Sequence, residues 1–329
     1  MAKKIILVLI LVVVATFLFS KNIVSPIPND PLQISYMRSN NYPGSDLKIE
    51  QTLADGSNYK RYIASYFSDG LKIYGLLTIP IGQRPGSGFP AIIFNHGYII
   101  PQLYTADGNY IAYVDALARN GFVVFKPDYR GNGKSEGISG SSYFSSNYDV
   151  DDLNALSSIA KYKDVNASKI GVWGHSMGGH ITLVDLVISK DIKAAVIWGG
   201  VVGSYNDILY NWQNRVSYRP DALDLKLRNL GSQELLQKHG TPNENPDFWN
   251  SIDPIANLNF VNAPVQIHVG SADNQVPPDF SQGLSNRLKA QGKTVEFYSY
   301  PGANHDISNP SFSVAMQRTI DFFKKYLQP

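Results

Sequence analysis

A serine lies between glycines in the segment KIGVWGHSMGG, which contains Ser176. An apolar run typical of a strand precedes it, and an apolar run typical of a helix, Met177 to Ile188, follows it. The G-x-S-x-G pattern in this context indicates a nucleophile elbow, a sharp turn that exposes the serine hydroxyl at the edge of a sheet. A second match contains Ser135, but a polar stretch follows it instead of a helix. We therefore predict that Ser176 is a nucleophile and that Ser135 is a loop residue.

A serine nucleophile needs a general base, and the sequence has six histidines. We predict that His305 is the base, because its segment YPGANHDIS leaves the last predicted strand and enters the last helix. Loops at the carboxyl ends of parallel strands form the ligand-binding edge of a sheet. The other histidines fall on the elbow and its helix, within a strand, in a tight turn or in a long insertion: His175, His180, His268, His96 and His239.

The acid that orients the histidine is expected in another strand-end loop, between the serine and the histidine in chain order. Asp273 is the only carboxylate of VGSADNQVP, which begins at the end of the predicted strand VQIHVG. Asp253 and Asp279 are weaker candidates, the latter because it falls in the first turn of a predicted helix. The predicted triad is therefore Ser176, Asp273 and His305.

Acyl transfer also needs two N–H groups that stabilise the oxyanion of the tetrahedral intermediate. We predict that the backbone amides of Met177, at the start of the helix, and of Tyr98, directly after Gly97 in NHGY, supply them. The ring of Tyr98 is also expected to line the substrate pocket. The alternative for NHGY is a tight turn without a catalytic role.

The elements that position these residues form an alternating pattern. Three strand-like segments, DLKIEQTL, YKRYIASYFS and LKIYGLLTIP, predict an antiparallel edge. From Ala91 onward, short apolar strands alternate with longer helical segments, which indicates a mostly parallel, doubly wound sheet of the α/β class.

One interval departs from this pattern. More than 60 residues separate Trp198 from Pro264, which is too long for an ordinary connection, and we predict a helical cap insertion over about 201–255. Tyr210, Trp212 and Trp249 of this insertion are predicted to bind substrate. The alternative, that such aromatic residues form the core of the cap itself, stays open.

Composition excludes several classes of function. The 329 residues carry a formal net charge of only +2 without a basic stripe, so nucleic acid is not expected as a partner. The absence of cysteine excludes thiol catalysis and cysteine-bound metal centres, and we expect neither a metal nor an organic cofactor.

The N-terminus differs from the rest of the chain. An apolar run, Ile5 to Phe19, follows Lys3 and Lys4 and predicts a signal peptide or N-terminal membrane anchor over residues 1–21. A linker is expected over 22–45 and the catalytic domain over 46–329. The protein is thus expected to be exported, either secreted or anchored to the outer face of the cytoplasmic membrane, with membrane contact only through this segment.

The motifs together resemble the α/β-hydrolase superfamily, specifically the peptidase S9 (prolyl oligopeptidase-like) catalytic domain and the small esterases grouped with it. The matching segments are FPAIIFNHGY, GFVVFKPDYRGNGKSEG, KIGVWGHSMGG, APVQIHVGSADNQVP and YPGANHDIS. The resemblance implies an α/β-hydrolase fold with the triad at Ser176, Asp273 and His305.

A departure from this family's pattern indicates the class of substrate. Fewer than 70 residues lie between the predicted signal peptide or anchor (residues 1–21) and Ala91, too few for the propeller of the prolyl oligopeptidases. We therefore expect cleavage of a small carboxylic ester through an acyl-enzyme. The alternatives are a serine peptidase that acts on short peptides and a non-catalytic binding protein on a hydrolase fold.

Overall fold

The computed structural model describes residues 30–140, 143–212 and 222–328. The predicted signal peptide or anchor lies outside the described residues, as do residues 213–221 of the predicted cap. Contacts divide the chain into Met1–Pro31 and Leu32–Pro329, and all elements named below belong to the second unit. Over the described ranges, no helix has both the length and the apolar character needed to traverse a bilayer.

A sheet of nine strands runs through the described part of this unit. The strands are β1 (Lys48–Thr52), β2 (Tyr59–Ser68), β3 (Leu71–Pro80), β4 (Phe89–Asn95), β5 (Val123–Pro127), β6 (Val165–His175), β7 (Ile192–Trp198), β8 (Val265–Gly270) and β9 (Val295–Tyr300). Their spatial order is β1-β2-β3-β5-β4-β6-β7-β8-β9. The pairs β1–β2, β2–β3 and β3–β5 are antiparallel, and all pairs from β5 to β9 are parallel. The predicted fold class is confirmed.

Helices connect these strands and cover the sheet. They are α1 (Ile34–Ser39), α2 (Ile111–Arg119), α3 (Asn147–Ala160), α4 (Met177–Ile188), α5 (Ala222–His239), α6 (Pro246–Ile252), α7 (Pro278–Ala290) and α8 (Phe312–Leu327), with a π-helical turn at Asp207–Asn211 and a 3-10 segment at Pro254–Phe260.

Successive residues of the central strands face opposite sides of the sheet. Ile93 and Val172 pack in a core that also contains residues of α3, α4 and α7, whereas Ile92 and Trp173 pack in a second core with residues of α2 and α8. Because both faces are buried, these strands are continuous apolar runs rather than alternating ones.

Helix α1 packs in the domain core. Ile34 and Met37 are each only 2% exposed and pack in the same core as α4. The Arg38 guanidinium also donates a hydrogen bond to the carbonyl of Val187 in α4. The predicted linker over 22–45 therefore contains a helix that packs in the domain core, and the boundary between linker and domain stays a prediction.

The long interval between β7 and β8 contains the π-helical turn, α5, α6 and the 3-10 segment. Part of it has a small core of its own, formed by Tyr205, Leu235, Phe248, Trp249 and Ile252. The boundaries and the covering role of the predicted cap stay a prediction.

Two buried carboxyl groups lie beside the end of β4. Asn95 Nδ2 donates to Asp152 Oδ2 at 2.9 Å and to Asp185 Oδ2 at 3.2 Å. Burial raises the pKa of Asp152 to about 6 and raises that of Asp185 well above its usual range. The folded chain therefore retains protons that the unfolded chain releases near pH 4. This contribution to stability is lost as pH rises through the folded-state pKa values.

Replacement of Asp152 by asparagine is expected to remove part of this pH dependence. Between pH 5 and pH 8, the free energy of unfolding of Asp152→Asn should rise relative to wild type by about 1 to 3 kcal/mol. Urea denaturation at the two pH values measures this difference, with the exposed Asp191→Asn as control. If the free energies of unfolding of Asp152→Asn and wild type differ by the same amount at pH 5 and at pH 8, the pKa of Asp152 is not raised.

Candidate active site

Ser176 lies directly between β6 and α4 in a backbone conformation that is rare for a non-glycine residue, with φ 56° and ψ −118°. Its N–H donates to the carbonyl of Trp198, and its carbonyl accepts from the N–H of Val201, each at 3.0 Å. Ser176 is partly exposed, although both adjacent residues are buried. The turn therefore presents the serine side chain at the carboxyl edge of the sheet, as predicted for a nucleophile elbow.

The glycines around the elbow permit close packing. A Cβ atom at Gly178 would overlap the carbonyl of Asn95 at the end of β4, so this position in the first turn of α4 requires glycine. A Cβ atom at Gly97 would lie 3.1 Å from the Cβ of Ser176. The loop that carries Gly97 and Tyr98 thus lies directly beside the serine.

The structure brings the predicted base and acid together. His305, in the loop after β9, donates from Nδ1 to Oδ2 of Asp273, in the loop after β8, at 2.7 Å. The other carboxylate oxygen, Oδ1, accepts from the N–H groups of Gln275 and Val276, both at 2.9 Å. His305 is 4% exposed and Asp273 is 9% exposed. Three strong donors therefore fix the carboxylate, and the carboxylate in turn fixes the orientation of the imidazole.

Gly199, at the end of β7, provides the space for this pair. Its φ is +49°, and a Cβ atom there would lie 3.2 Å from His305 Nδ1 and 3.3 Å from Asp273 Oδ2. This residue was not among the site residues predicted from the sequence. Its place directly after a central parallel strand is the signal that could have found it.

Ser176, His305 and Tyr98 line one cavity of about 470 Å³. A cavity of this volume is in the range that accommodates small organic ligands. Its wall also includes residues that the sequence analysis missed, namely Asn109, Tyr110, Tyr113, Gln275 and Asp306. Tyr110 and Tyr113 lie three positions apart at the start of α2, and this helical spacing was their only sequence signal.

The predicted oxyanion donors belong to the two chain segments next to the serine. Met177 is the first residue of α4, and Tyr98 lies in the neighbouring loop after β4. A helix N-terminus favours developing negative charge, which agrees with the role predicted for Met177. The role of both amides in binding an oxyanion stays a prediction.

The three predicted substrate-binding residues of the insertion do not line the cavity that contains Ser176. Trp249 is only 3% exposed in the small core with Tyr205 and Phe248, and its indole donates to the carbonyl of Gly240. A substrate-binding role is incompatible with this burial, so that prediction is wrong. The alternative, a core residue of the insertion, describes Trp249 correctly.

Trp212 and Tyr210 also lie outside the lining of the cavity that holds Ser176. Trp212 Nε1 donates to the carbonyl of Gln275 at 2.8 Å, and it therefore supports the loop of Asp273 rather than contacting a ligand there. Tyr210 is 48% exposed at the surface. The sequence did not distinguish these positions because an aromatic residue suits a pocket, a core and an interface equally well.

The other G-x-S-x-G serine and two of the other histidines are buried, as structural residues are. Ser135 is 8% exposed, and its Oγ accepts from the N–H of Tyr74 at 3.0 Å, as expected for a loop residue. Burial lowers the pKa of His96 to about 3 and that of His180 to about 4, which makes both poor proton acceptors near pH 7. Over the described part of the chain, no group of three or more histidine or acidic side chains is arranged to hold a metal ion.

Comparison with known proteins identifies the family of this chain. The sequence matches the family model of the prolyl oligopeptidase family (Peptidase_S9) over residues 109–329. The chain belongs to the prolyl oligopeptidase family. The matched region contains the elements that carry Ser176, Asp273 and His305 and begins after the loop of Tyr98. The resemblance noted in the sequence is thereby confirmed, and the protein is a serine hydrolase of this family.

Individual relatives are distant. The chain is 28% identical to the uncharacterized peptidase YtmA of Bacillus subtilis (strain 168) over 245 residues, which are 74% of this chain and 85% of the relative.

Among solved structures, Pyrococcus horikoshii acylaminoacyl peptidase matches with a TM-score of 0.65 and 22% identity, over 82% of this chain but only 42% of the peptidase. An acetyl xylan esterase from Paenibacillus sp. R4 also has a TM-score of 0.65, with 18% identity, over 88% of this chain and 91% of the esterase. At these identities, both structures establish the shared fold.

The contact of Gly199 with the His305–Asp273 pair predicts an effect on turnover. Gly199→Ala should lower kcat on p-nitrophenyl acetate by at least about tenfold, because the added methyl group displaces the imidazole. Gly70→Ala is the matched control: Gly70 also has a positive φ, +79°, but nothing lies within 4 Å of its Cβ position.

Both alanine variants should lose about 1 to 2 kcal/mol of stability from the backbone conformation alone. Steady-state kinetics and thermal unfolding separate the two effects. If Gly199→Ala and Gly70→Ala reduce kcat equally, the proposed contact has no functional consequence.

Proposed function

We propose that this protein cleaves carboxylic esters through Ser176, His305 and Asp273. The observation that carries the proposal is the 2.7 Å hydrogen bond between His305 and Asp273, together with the cavity that His305 and the partly exposed Ser176 both line. Because His305 donates to Asp273 through Nδ1, its Nε2 is the nitrogen available to accept the hydroxyl proton of Ser176.

The reaction proceeds in two half-reactions. Ser176 Oγ attacks the ester carbonyl carbon while His305 takes the serine proton, and the imidazolium then protonates the departing alcohol. Asp273 stabilises the imidazolium and holds its orientation. Water next attacks the acyl-enzyme while His305 takes its proton, and His305 then returns that proton to the departing Ser176 Oγ as the carboxylic acid is released. The amides of Met177 and Tyr98 donate to the oxyanion in both tetrahedral intermediates.

The share of each similar structure that this chain covers favours ester cleavage over peptide cleavage. The acetyl xylan esterase corresponds to this chain over 91% of its own length, whereas the acylaminoacyl peptidase corresponds over 42%. The second candidate function is cleavage of short peptides, and the match to the prolyl oligopeptidase family and the 28% identity to YtmA favour it. Both reactions use the same three residues.

A substrate panel tests the proposal and separates the two candidates. The full chain should hydrolyse p-nitrophenyl acetate and butyrate with a kcat/KM at least about tenfold above that for aminoacyl p-nitroanilides, and Ser176→Ala should lose at least about a thousandfold. The matched control is Ser135→Ala, which alters the other G-x-S-x-G serine and should retain activity within about threefold.

The remaining outcomes are equally informative. A preference for the anilides would replace ester hydrolysis by the peptidase candidate while retaining Ser176. Ester turnover that survives in Ser176→Ala but is lost in Ser135→Ala would show that the nucleophile is assigned to the wrong serine.

A further inference from the structure

His175, the residue before Ser176, is buried but makes specific polar contacts on both sides of its ring. It is 2% exposed, and its ring lies 4.6 Å, centroid to centroid, from that of His305. Nδ1 lies 2.7 Å from the hydroxyl of Tyr110, and Nε2 lies 3.3 Å from the backbone carbonyl of His305. These contacts provide a partner for each ring nitrogen and fix the orientation of the ring.

The partners determine which nitrogen of His175 carries the proton. A carbonyl oxygen can only accept, so Nε2 must be protonated and donate to His305. The N–H of Gly97 donates to the Tyr110 hydroxyl at 2.9 Å, which leaves the hydroxyl proton to be donated to an unprotonated Nδ1. Gly97, Tyr110, His175 and the main chain of His305 therefore form one directed chain of hydrogen bonds.

The surroundings of His175 keep its ring neutral. Burial, and secondarily the charge of neighbouring His305, hold its pKa well below the usual range of histidine. The nearest carboxylate oxygen, Oδ1 of Asp306, lies 3.7 Å from Nε2, too far for a hydrogen bond, and the Asp306 side chain is 55% exposed. Neutrality matters because His305 becomes positively charged during the reaction, and a second charge beside it would oppose that step.

We propose that His175 and Tyr110 are positioning residues that join the Gly97–Tyr98 loop to the backbone of His305. Gly97 lies against Ser176 and precedes Tyr98, whose amide is a proposed oxyanion donor. The directed chain of hydrogen bonds therefore connects the loop that would bind the oxyanion to the backbone of the general base. Neither residue exchanges a proton with the substrate. This inference rests on the proposed function, because it assigns these roles relative to Ser176 and His305.

Tyr110→Phe is the first test, because it removes both hydrogen bonds of the hydroxyl while keeping the ring. We expect kcat for p-nitrophenyl acetate to fall by at least about tenfold with KM within about threefold, since only the transition state requires the aligned donors.

Tyr300→Phe is a matched control. The Tyr300 hydroxyl also contacts a buried histidine, His268 Nδ1 at 2.8 Å, and also accepts from an N–H donor, Arg318 at 3.2 Å. It does not line the cavity that contains Ser176. Tyr300→Phe should therefore alter thermal stability but leave kcat within about threefold. Equal kcat values for Tyr110→Phe and Tyr300→Phe would overturn the inference.

Substitutions at His175 supply a rescue test. His175→Phe removes both nitrogens, whereas the amide oxygen of His175→Asn can still accept from Tyr110. We expect His175→Asn to retain about tenfold more kcat than His175→Phe, and Tyr110→Phe to add less than about threefold when combined with His175→Phe. Equal activity of the two His175 variants, or fully additive effects, would show that the residues do not act as a unit.

A readout without turnover keeps this inference separate from the proposed function. Nitrogen-15 NMR of the histidine-labelled full chain should show His175 as the Nε2–H tautomer, without titration between pH 5 and pH 8. This holds whether or not esters are substrates. A titrating His175, or an Nδ1–H tautomer, would overturn the directed chain of hydrogen bonds even if ester hydrolysis is confirmed.

Discussion

The positive-φ turn at Ser176 is the constraint on which the rest of the site depends. A non-glycine residue in such a conformation persists only when the surrounding structure fixes it. Here the hydrogen bonds to Trp198 and Val201 fix it from the side of β7, and the close approach of Gly178 to Asn95 fixes it from the side of β4. The central position of β6 in the sheet thus makes possible the turn that leaves Ser176 partly exposed.

The parallel arrangement of the strands explains how residues far apart in sequence meet. Strands β4, β6, β7, β8 and β9 all end at the same edge, so each following loop contributes one part of the site. The loop after β8 supplies the carboxylate, the loop after β9 supplies the imidazole, and Gly199 after β7 leaves room for both. Each contribution follows directly on a strand of the sheet, and groups held by such rigid elements are positioned more precisely than groups on a long mobile loop.

Much of this arrangement was predictable because it is local or periodic. Helix α4 has the predicted bounds, Met177–Ile188, since a strand, a glycine-rich turn and an apolar helix follow one another without interruption. The pairing of Asp273 with His305 followed from placing each at a strand end. Helix α1 was not predicted because its only sequence signal is two apolar residues, Ile34 and Met37, in a segment rich in turn-forming residues.

The cavity wall was less predictable. Tyr110, Tyr113 and Gln275 meet through the tertiary fold, and no pattern within their own segments distinguishes a wall residue from a core residue. Trp249 shows the opposite error. Its aromatic side chain suits a binding site, but the structure buries it in a core. Chemistry that depends on spacing along the chain can be inferred from sequence, whereas chemistry that depends on packing between distant segments needs the structure.

The most direct test of the account is to identify the residue that a fluorophosphonate labels in the folded full chain. Peptide mapping by mass spectrometry should find a single adduct on the peptide that contains Ser176, and replacement of His305 by alanine should slow its formation by at least about a hundredfold. An adduct on Ser135, or no adduct on folded protein, would contradict the assignment of Ser176 as the nucleophile.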